Sequence, residues 1–269
     1  MTAMLVDHHC HLDAPDLAAD LDGVVERAHA AGVGVIVTIS TRVRRLAETL
    51  KIADAYPNVF CSVGTHPHYA HTELDVPVEE FVRLARHPKI VAIGEAGLDY
   101  FYDKSPRDAQ AQGFRQQIAA AQATGLPLVI HARDADADIA AILEEEMARA
   151  PFSAVLHCFT SGPELARRAL DLGVYMSFSG VLTFKKSESL RAIAAAVPLD
   201  RLLVETDAPY LAPGKFRGKR NEPAYVVETA KELAGVKGVS RAEIAHATTE
   251  NFFRLYAKTP RAVLSAKSA

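Results

Sequence analysis

The chain repeats one pattern of polar and apolar positions. A stretch with helical periodicity runs into a glycine, and a short, almost wholly apolar run follows. RAHAAG-VGVIVTI, AAAQATG-LPLVIH and RRALDLG-VYMSFSG are three instances, with Gly32, Gly125 and Gly173 placed where a helix needs a left-handed residue to stop. Runs so rich in Val, Ile, Leu and Met suit strands buried on both faces of a parallel sheet. Strands are therefore expected near 4–7, 34–39, 59–64, 90–94, 127–131, 153–157, 174–178 and 201–205. Helical patterns cover 16–31, 42–55, 107–123, 134–149 and 161–171, the last with Pro163 in its first turn, where a missing N–H costs nothing. Two more helices, near 223–235 and 240–257, complete the pattern. Eight strands alternating with helices over about 250 residues predict an α/β fold of the (β/α)8 TIM-barrel kind. A doubly wound open sheet is the alternative, but no G-x-G-x-x-G follows the first strand and there is no P-loop. No Gly/Ser-rich linker interrupts the pattern, so one domain over 1–258 is expected, with a flexible C-terminal tail over 259–269.

Composition narrows the function classes. Charged residues make up 23% of the 269 positions and hydrophobic ones 49%, which excludes a disordered chain. The balance of 30 basic against 33 acidic residues excludes a protein that coats nucleic acid by bulk charge, and leaves a local basic rim open. No apolar run reaches the roughly 18 residues of a membrane span. Cys10, Cys61 and Cys158 are an odd count without C-x-x-C spacing, which suggests neither a disulfide framework nor a cysteine zinc site. The opening MTAMLVDHHCHLD lacks the basic and long apolar regions of a signal peptide. A soluble cytoplasmic protein is expected, with no membrane contact and no organic cofactor.

Histidines and carboxylates gather at the expected strand ends, which form the active-site face of such a barrel. Strand alternation turns His9 and His11 into the mouth and His8 and Cys10 outward. Two imidazoles on one face can share a metal ion, although a short His cluster alone is also a plain polar strand end. Glu95, directly after a buried strand and between glycines, needs cationic partners, and a carboxylate can bridge two metals. Asp99 lies beyond the turn and reads as a loop-capping residue. His131 and His157 end two successive strands. Asp207 emerges after the last strand, where it can ligate a metal and take a proton from an attacking water. Glu205, two residues earlier, reads as a structural partner. Cys158 follows His157 as Cys10 follows His9, and neither thiol has an activating pair.

Together His9, His11, Glu95, His131, His157 and Asp207 are too many donors for one tetrahedral ion. They suit two divalent ions bridged by Glu95 and a hydroxide, with Glu95 and Asp207 in the catalytic roles. His66 and His68, in the GTHPH segment after strand three, are candidates for holding a phosphate oxygen, against the plainer reading of a rigid loop. The run Lys215–Asn221, which includes Lys219 and Arg220, falls where barrels often hold phosphates. With Arg133, Lys185 and Lys186 it would make the rim positive and favour an anionic substrate.

The segments DHHCHLD, GTHPH, IGEAGLDY, IHARDA, LHCFTSG, SFSGVLTF, VETDAPYLAP, RGKRNEP and TTENFFRLY, in this order, resemble the TatD family of metal-dependent hydrolases, within the amidohydrolase-like barrels. The resemblance covers nearly the whole chain. It implies a (β/α)8 barrel, ligands at the same six positions, and a metal-dependent deoxyribonuclease acting on single-stranded DNA from the 3′ end. Imidazole-rich sites favour Zn²⁺ and other borderline metals, whereas the resemblance implies turnover with Mg²⁺. The expectation is Mg²⁺ or Mn²⁺ for turnover and Zn²⁺ or another borderline metal as a bound species. A small-molecule amidase, lactonase or esterase, an aminoacyl-tRNA deacylase on the same site, and an inactive binding scaffold are the competing readings.

Overall fold

The computed structural model describes residues 4–264. Its strands are β1 (Leu5–Cys10), β2 (Val33–Thr38), β3 (Val59–Val63), β4 (Ile90–Asp99), β5 (Leu128–Arg133), β6 (Ala154–Leu156), β7 (Tyr175–Phe178) and β8 (Leu202–Val204). All neighbours are parallel and the order follows the chain from β1 to β8. The helices are α1 (Pro15–Ala18), α2 (Leu21–Ala30), α3 (Leu46–Ala55), α4 (Ala70–Glu73), α5 (Val78–Leu84), α6 (Arg107–Thr124), α7 (Asp136–Arg149), α8 (Pro163–Asp171), α9 (Glu188–Ala196), α10 (Val226–Lys237) and α11 (Arg241–Leu255). The eight-stranded barrel of the sequence reading is present. No helix among the described residues is long and apolar enough to cross a membrane.

Periodicity explains most of this order. Gly125 ends α6 with φ +69° and returns its N–H to the Ala121 carbonyl, so the chain can reverse into β5. Two apolar layers follow from strand alternation. Ile36, Val59, Ile90 and Leu128 pack outward against the helices. Val6, Val35, Val91, Val129, Val155 and Leu203 fill the barrel together with Phe252 and Tyr256 from the end of α11, which closes one end of the barrel.

Three expectations need correction. The helix expected over 16–31 is two, α1 and α2, broken at Ala19–Asp20. Strand β4 runs to Asp99, five residues past its expected end, because Ala96–Asp99 pair with Ile130–Arg133 of β5. The tail is docked as far as Leu264. Val263 and Leu264 pack on the inner apolar cluster, and Arg261 forks onto Glu250 at 2.6 and 2.9 Å. Residues 265–269 of that tail lie outside the described residues.

The seam between β8 and β1 has no regular ladder. It is closed by single backbone contacts: Asp207 N–H donates to the His9 carbonyl (2.9 Å) and His11 N–H to the Ala208 carbonyl (2.7 Å). The buried Asp7 carboxyl reinforces it by accepting Thr206 N–H (2.8 Å) and Oγ1–H (2.6 Å). Both edges of this seam carry candidate ligands.

Candidate active site

Each candidate ligand sits in the C-terminal half of a strand or just past it. His9 lies in β1, Glu95 in β4 and His131 in β5; His11, His66, His157 and Asp207 follow β1, β3, β6 and β8. Two bulges set the aim of these side chains. Between Asp7 and Cys10, β1 advances three residues while β2 advances two, from Ile36 to Thr38. Between Ile93 and Ala96, β4 does the same against Leu128 and Ile130 of β5. A bulge re-aims the side chains next to it, and here the two present His9 and Glu95 to each other across the barrel.

Glu95 is the hub. Its Oε1 lies 2.7 Å from His157 Nε2, 2.9 Å from His131 Nδ1 and 3.4 Å from His66 Nε2, and its Oε2 lies 3.5 Å from His9 Nε2. Asp207 Oδ1 stands 3.4 Å from His11 Nε2 and 3.8 Å from His9 Nε2. The imidazoles of His9 and His157 stack at 3.8 Å. Three donor triads result: His66–Glu95–His131, His9–Glu95–His157 and His9–His11–Asp207. Glu95 and His9 each belong to two of them.

Burial and charge oppose each other here. Burial pushes His9 down to about 4, helped by the neighbouring His157, and pushes His66 to about 4. Both are thus neutral at pH 7 with a lone pair to give. Burial also disfavours the imidazolium of His157, but Glu95 and Glu205 outweigh it and raise that group. For Glu95 burial favours the acid, yet His157 and His66 hold the carboxyl well below its ordinary range.

The donor chemistry fits a divalent cation. Neither ring nitrogen of His9 has a hydrogen-bond partner although the residue is fully buried. A buried polar group without a partner is costly, and coordination would satisfy it. Imidazoles with carboxylates are the donors borderline metals take.

A second tier of carboxylates orients the imidazoles, as is usual around metals. Glu205 Oε1 faces His157 Nδ1 at 3.2 Å. Asp99 Oδ2 lies 3.0 Å from His131 Nε2 and 2.9 Å from His68 Nε2, while its Oδ1 accepts Tyr102 N–H at 2.8 Å. Asp99 therefore caps its loop, as expected, and also serves the site. Burial favours its neutral form, but His131 and His68 depress the carboxyl far below the usual range.

His8 departs from expectation. Val6 fills the barrel, so alternation turns His8 inward too; the bulge then lets His9 face inward beside it, while Cys10 joins the helix-facing layer. The Nε2 of His8 lies 2.6 Å from Ser177 Oγ and 3.2 Å from Glu205 Oε2, and its Nδ1 lies 3.1 Å from the Tyr256 hydroxyl. Burial pushes all three thiols up, Cys61 to about 12, which disfavours the nucleophilic thiolate.

The expected phosphate-binding residues divide. His66 joins the central triads and His68 pairs with Asp99. The guanidinium of Arg133 lies at the rim, 4.1 Å from the Phe101 ring and 4.7 Å from that of Tyr102. Lys219 is exposed. Arg220 is tied into the fold, donating to the Asp16 carbonyl (2.6 Å) and to Glu222 (3.3 Å), which Arg27 also grips.

Comparison with known proteins agrees with this architecture. The family described as TatD related DNase matches residues 6–257. The metal-dependent hydrolase YabD of Bacillus subtilis is 42% identical, over 94% of this chain and 99% of that protein. The 3′-5′ ssDNA/RNA exonuclease TatD of Escherichia fergusonii is 34% identical over 94% of this chain, which spans 98% of it. The crystal structure of YJJV, a TatD homologue from Escherichia coli K12, superposes with a TM-score of 0.88 at 31% identity, covering 97% of this chain and all of that one. With the triads facing one another at the mouth of the barrel, this chain belongs to the TatD family of metal-dependent hydrolases.

Proposed function

We propose that the protein hydrolyses phosphodiester bonds of single-stranded DNA, as a 3′–5′ exonuclease with two divalent metal ions. The observation that carries this reading is the position of Glu95, one carboxylate facing two sets of imidazoles. Held by His9, His11, Glu95, His131, His157 and Asp207, two such ions would supply Lewis acidity at phosphorus and ease the deprotonation of water. Mg²⁺ or Mn²⁺ is the expected pair for turnover and Zn²⁺ the tighter-bound species. The protein's own groups do the rest. Asp207, partly open to the mouth, is placed to take the proton of the attacking water. Glu205 and Asp99 keep His157 and His131 in one orientation. Arg133 and Lys219 at the rim offer charge to the phosphates on either side. The relative from Escherichia fergusonii, named for ssDNA and RNA exonuclease activity, supports the same reading.

The test strips the protein with chelator, restores Mg²⁺, Mn²⁺ or Zn²⁺ singly, and supplies single-stranded DNA labelled at one end. Stepwise shortening by the wild type and not by Glu95→Ala is expected, and the labelled end reports polarity. No cleavage with any metal would overturn the nuclease reading in favour of a small-molecule or aminoacyl-tRNA hydrolase.

A further inference from the structure

Among the described residues few large apolar side chains are exposed, and most of them sit at the mouth of the barrel. Tyr210 is 59% exposed, Phe101 56%, Tyr102 52% and Tyr69 36%. Each lies on a loop that follows a strand: Tyr69 after β3, Phe101 and Tyr102 after β4, Tyr210 after β8. Exposed aromatic rings clustered around a site mark a surface that takes a ligand.

These rings are fixed by the segments that carry the site. Tyr102 N–H donates to Asp99, and its ring stands 5.4 Å from that of His68. Tyr210 N–H donates to the Asp207 carbonyl at 2.9 Å, its own carbonyl accepts the Asn221 amide at 2.6 Å, and its ring lies 6.1 Å from that of His11. In a ring of eight strands, β4 and β8 are diametrically opposed. The two aromatic groups therefore lie on opposite sides of the cluster centred on Glu95.

The β4 side also has charge and room. The guanidinium of Arg133 lies against both Phe101 and Tyr102, and Lys104 Nζ stands 5.3 Å from the Tyr102 ring. Beside Phe101 and Arg133 opens a cavity of about 530 Å³ whose wall includes Asp134, Asp136 and Thr160. Arg133 is the single basic residue of that wall against two carboxylates, and Phe101 gives it an aromatic face.

We propose that Phe101 with Tyr102, and Tyr210 opposite them, are two base-stacking platforms that hold the unpaired bases on either side of the scissile phosphate. This rests on the nuclease reading above and deepens it, because it names what selects the strand. Bases in a duplex are stacked on one another and cannot reach platforms on opposite sides of one phosphate. A single strand can splay them, and stacking on an aromatic ring tolerates any base.

The experiment compares kcat/KM, with Mn²⁺ present, on a single-stranded DNA and on a strand of equal length and charge built from base-free tetrahydrofuran residues. The ratio of the two rates is measured for the wild type, Tyr210→Ala, the double variant Phe101→Ala/Tyr102→Ala, and Tyr210→Phe. The wild-type ratio is expected to be at least about tenfold, each alanine variant to lower it on the order of tenfold, and Tyr210→Phe to keep it. Terminal 2-aminopurine fluorescence, quenched on binding by the wild type and less so by the alanine variants, reads the same contact without turnover. A wild-type ratio near one, or alanine variants that keep it while folding normally, would overturn the platforms and leave the nuclease reading intact. No turnover of either strand by the wild type would overturn both.

Discussion

Glu95 is buried without a lysine or arginine in its ion pairs; its counter-charge falls to His131 and His157, both raised against burial by neighbouring carboxylates, while His9 and His66 face it as neutral imidazoles. Imidazoles can give up that charge and remain as ligands, which a fixed cation could not do. Glu95→Ala and His131→Ala should each lower the rate of the proposed DNA hydrolysis by roughly 10²-fold or more, read by single-turnover cleavage. Glu205 touches His157 and no substrate, so it is a positioning residue. Glu205→Gln should weaken metal affinity or activity about 10- to 100-fold, checked by metal titration alongside rate, and unchanged affinity and rate would refute the role. Strand-end chemistry made the main donors legible from the sequence, since each falls where a (β/α)8 barrel opens. His8 was not legible. Alternation counted back from His9 and His11 assigned it outward, and only pairing with β2 reveals the extra residue that lets His8 and His9 both face in.

The same limit holds for whole elements. Long periodic segments such as α6 and α7 were readable because many turns repeat the pattern. The short helices α4, α5 and α9 were not, because such helices are held by tertiary packing more than by their own periodicity; α8, also nine residues long, was legible because Pro163 marks its first turn and Gly173 follows its end. The end of β4 was hidden because Gly94 and Gly97 make E-A-G look like a loop. In the barrel, Gly97 adopts φ +132° and its missing side chain lets the backbone sit against β5; a Cβ there would collide with the His131 carbonyl. Gly97→Ala should therefore cost about 2–3 kcal/mol and lower Tm by roughly 5–10 °C. Because Glu95 and His131 flank that contact, hydrolysis should fall too, and a variant with unchanged Tm would sink the argument.

Across the molecule, burial couples stability to pH far from the site. Cys61, on β3, is completely buried in the helix-facing core, with Asp54, Lys89 and Lys258 the charges that act on it, and burial holds its thiol up to about 12. In the unfolded chain it ionises near its ordinary value of 9. Between those limits the unfolded state has released a proton that the folded state still binds, so stability falls as pH rises. The slope from this one group is about 1.4 kcal/mol per pH unit. Denaturant titrations between pH 9 and 11 should show a shallower decline for Cys61→Ala than for the wild type. At neutral pH the wild-type thiol is protonated and enclosed, and native protein should not react there.

The β8–β1 seam has a consequence for how the protein is kept whole. Asp7 and Thr206, which join across it, are 199 positions apart along the chain, and His9, His11 and Asp207 stand on its two lips. An ion gripping those three residues is also a reversible cross-link that clasps the first strand to the last. Charging the enzyme with metal and locking the hoop are then one event, and the relation works in reverse. Chelated protein should show faster hydrogen exchange and earlier proteolytic nicking at residues 5–11 and 202–208 than anywhere else in the barrel. A cell short of the metal would lose the protein by degradation as well as by inactivity.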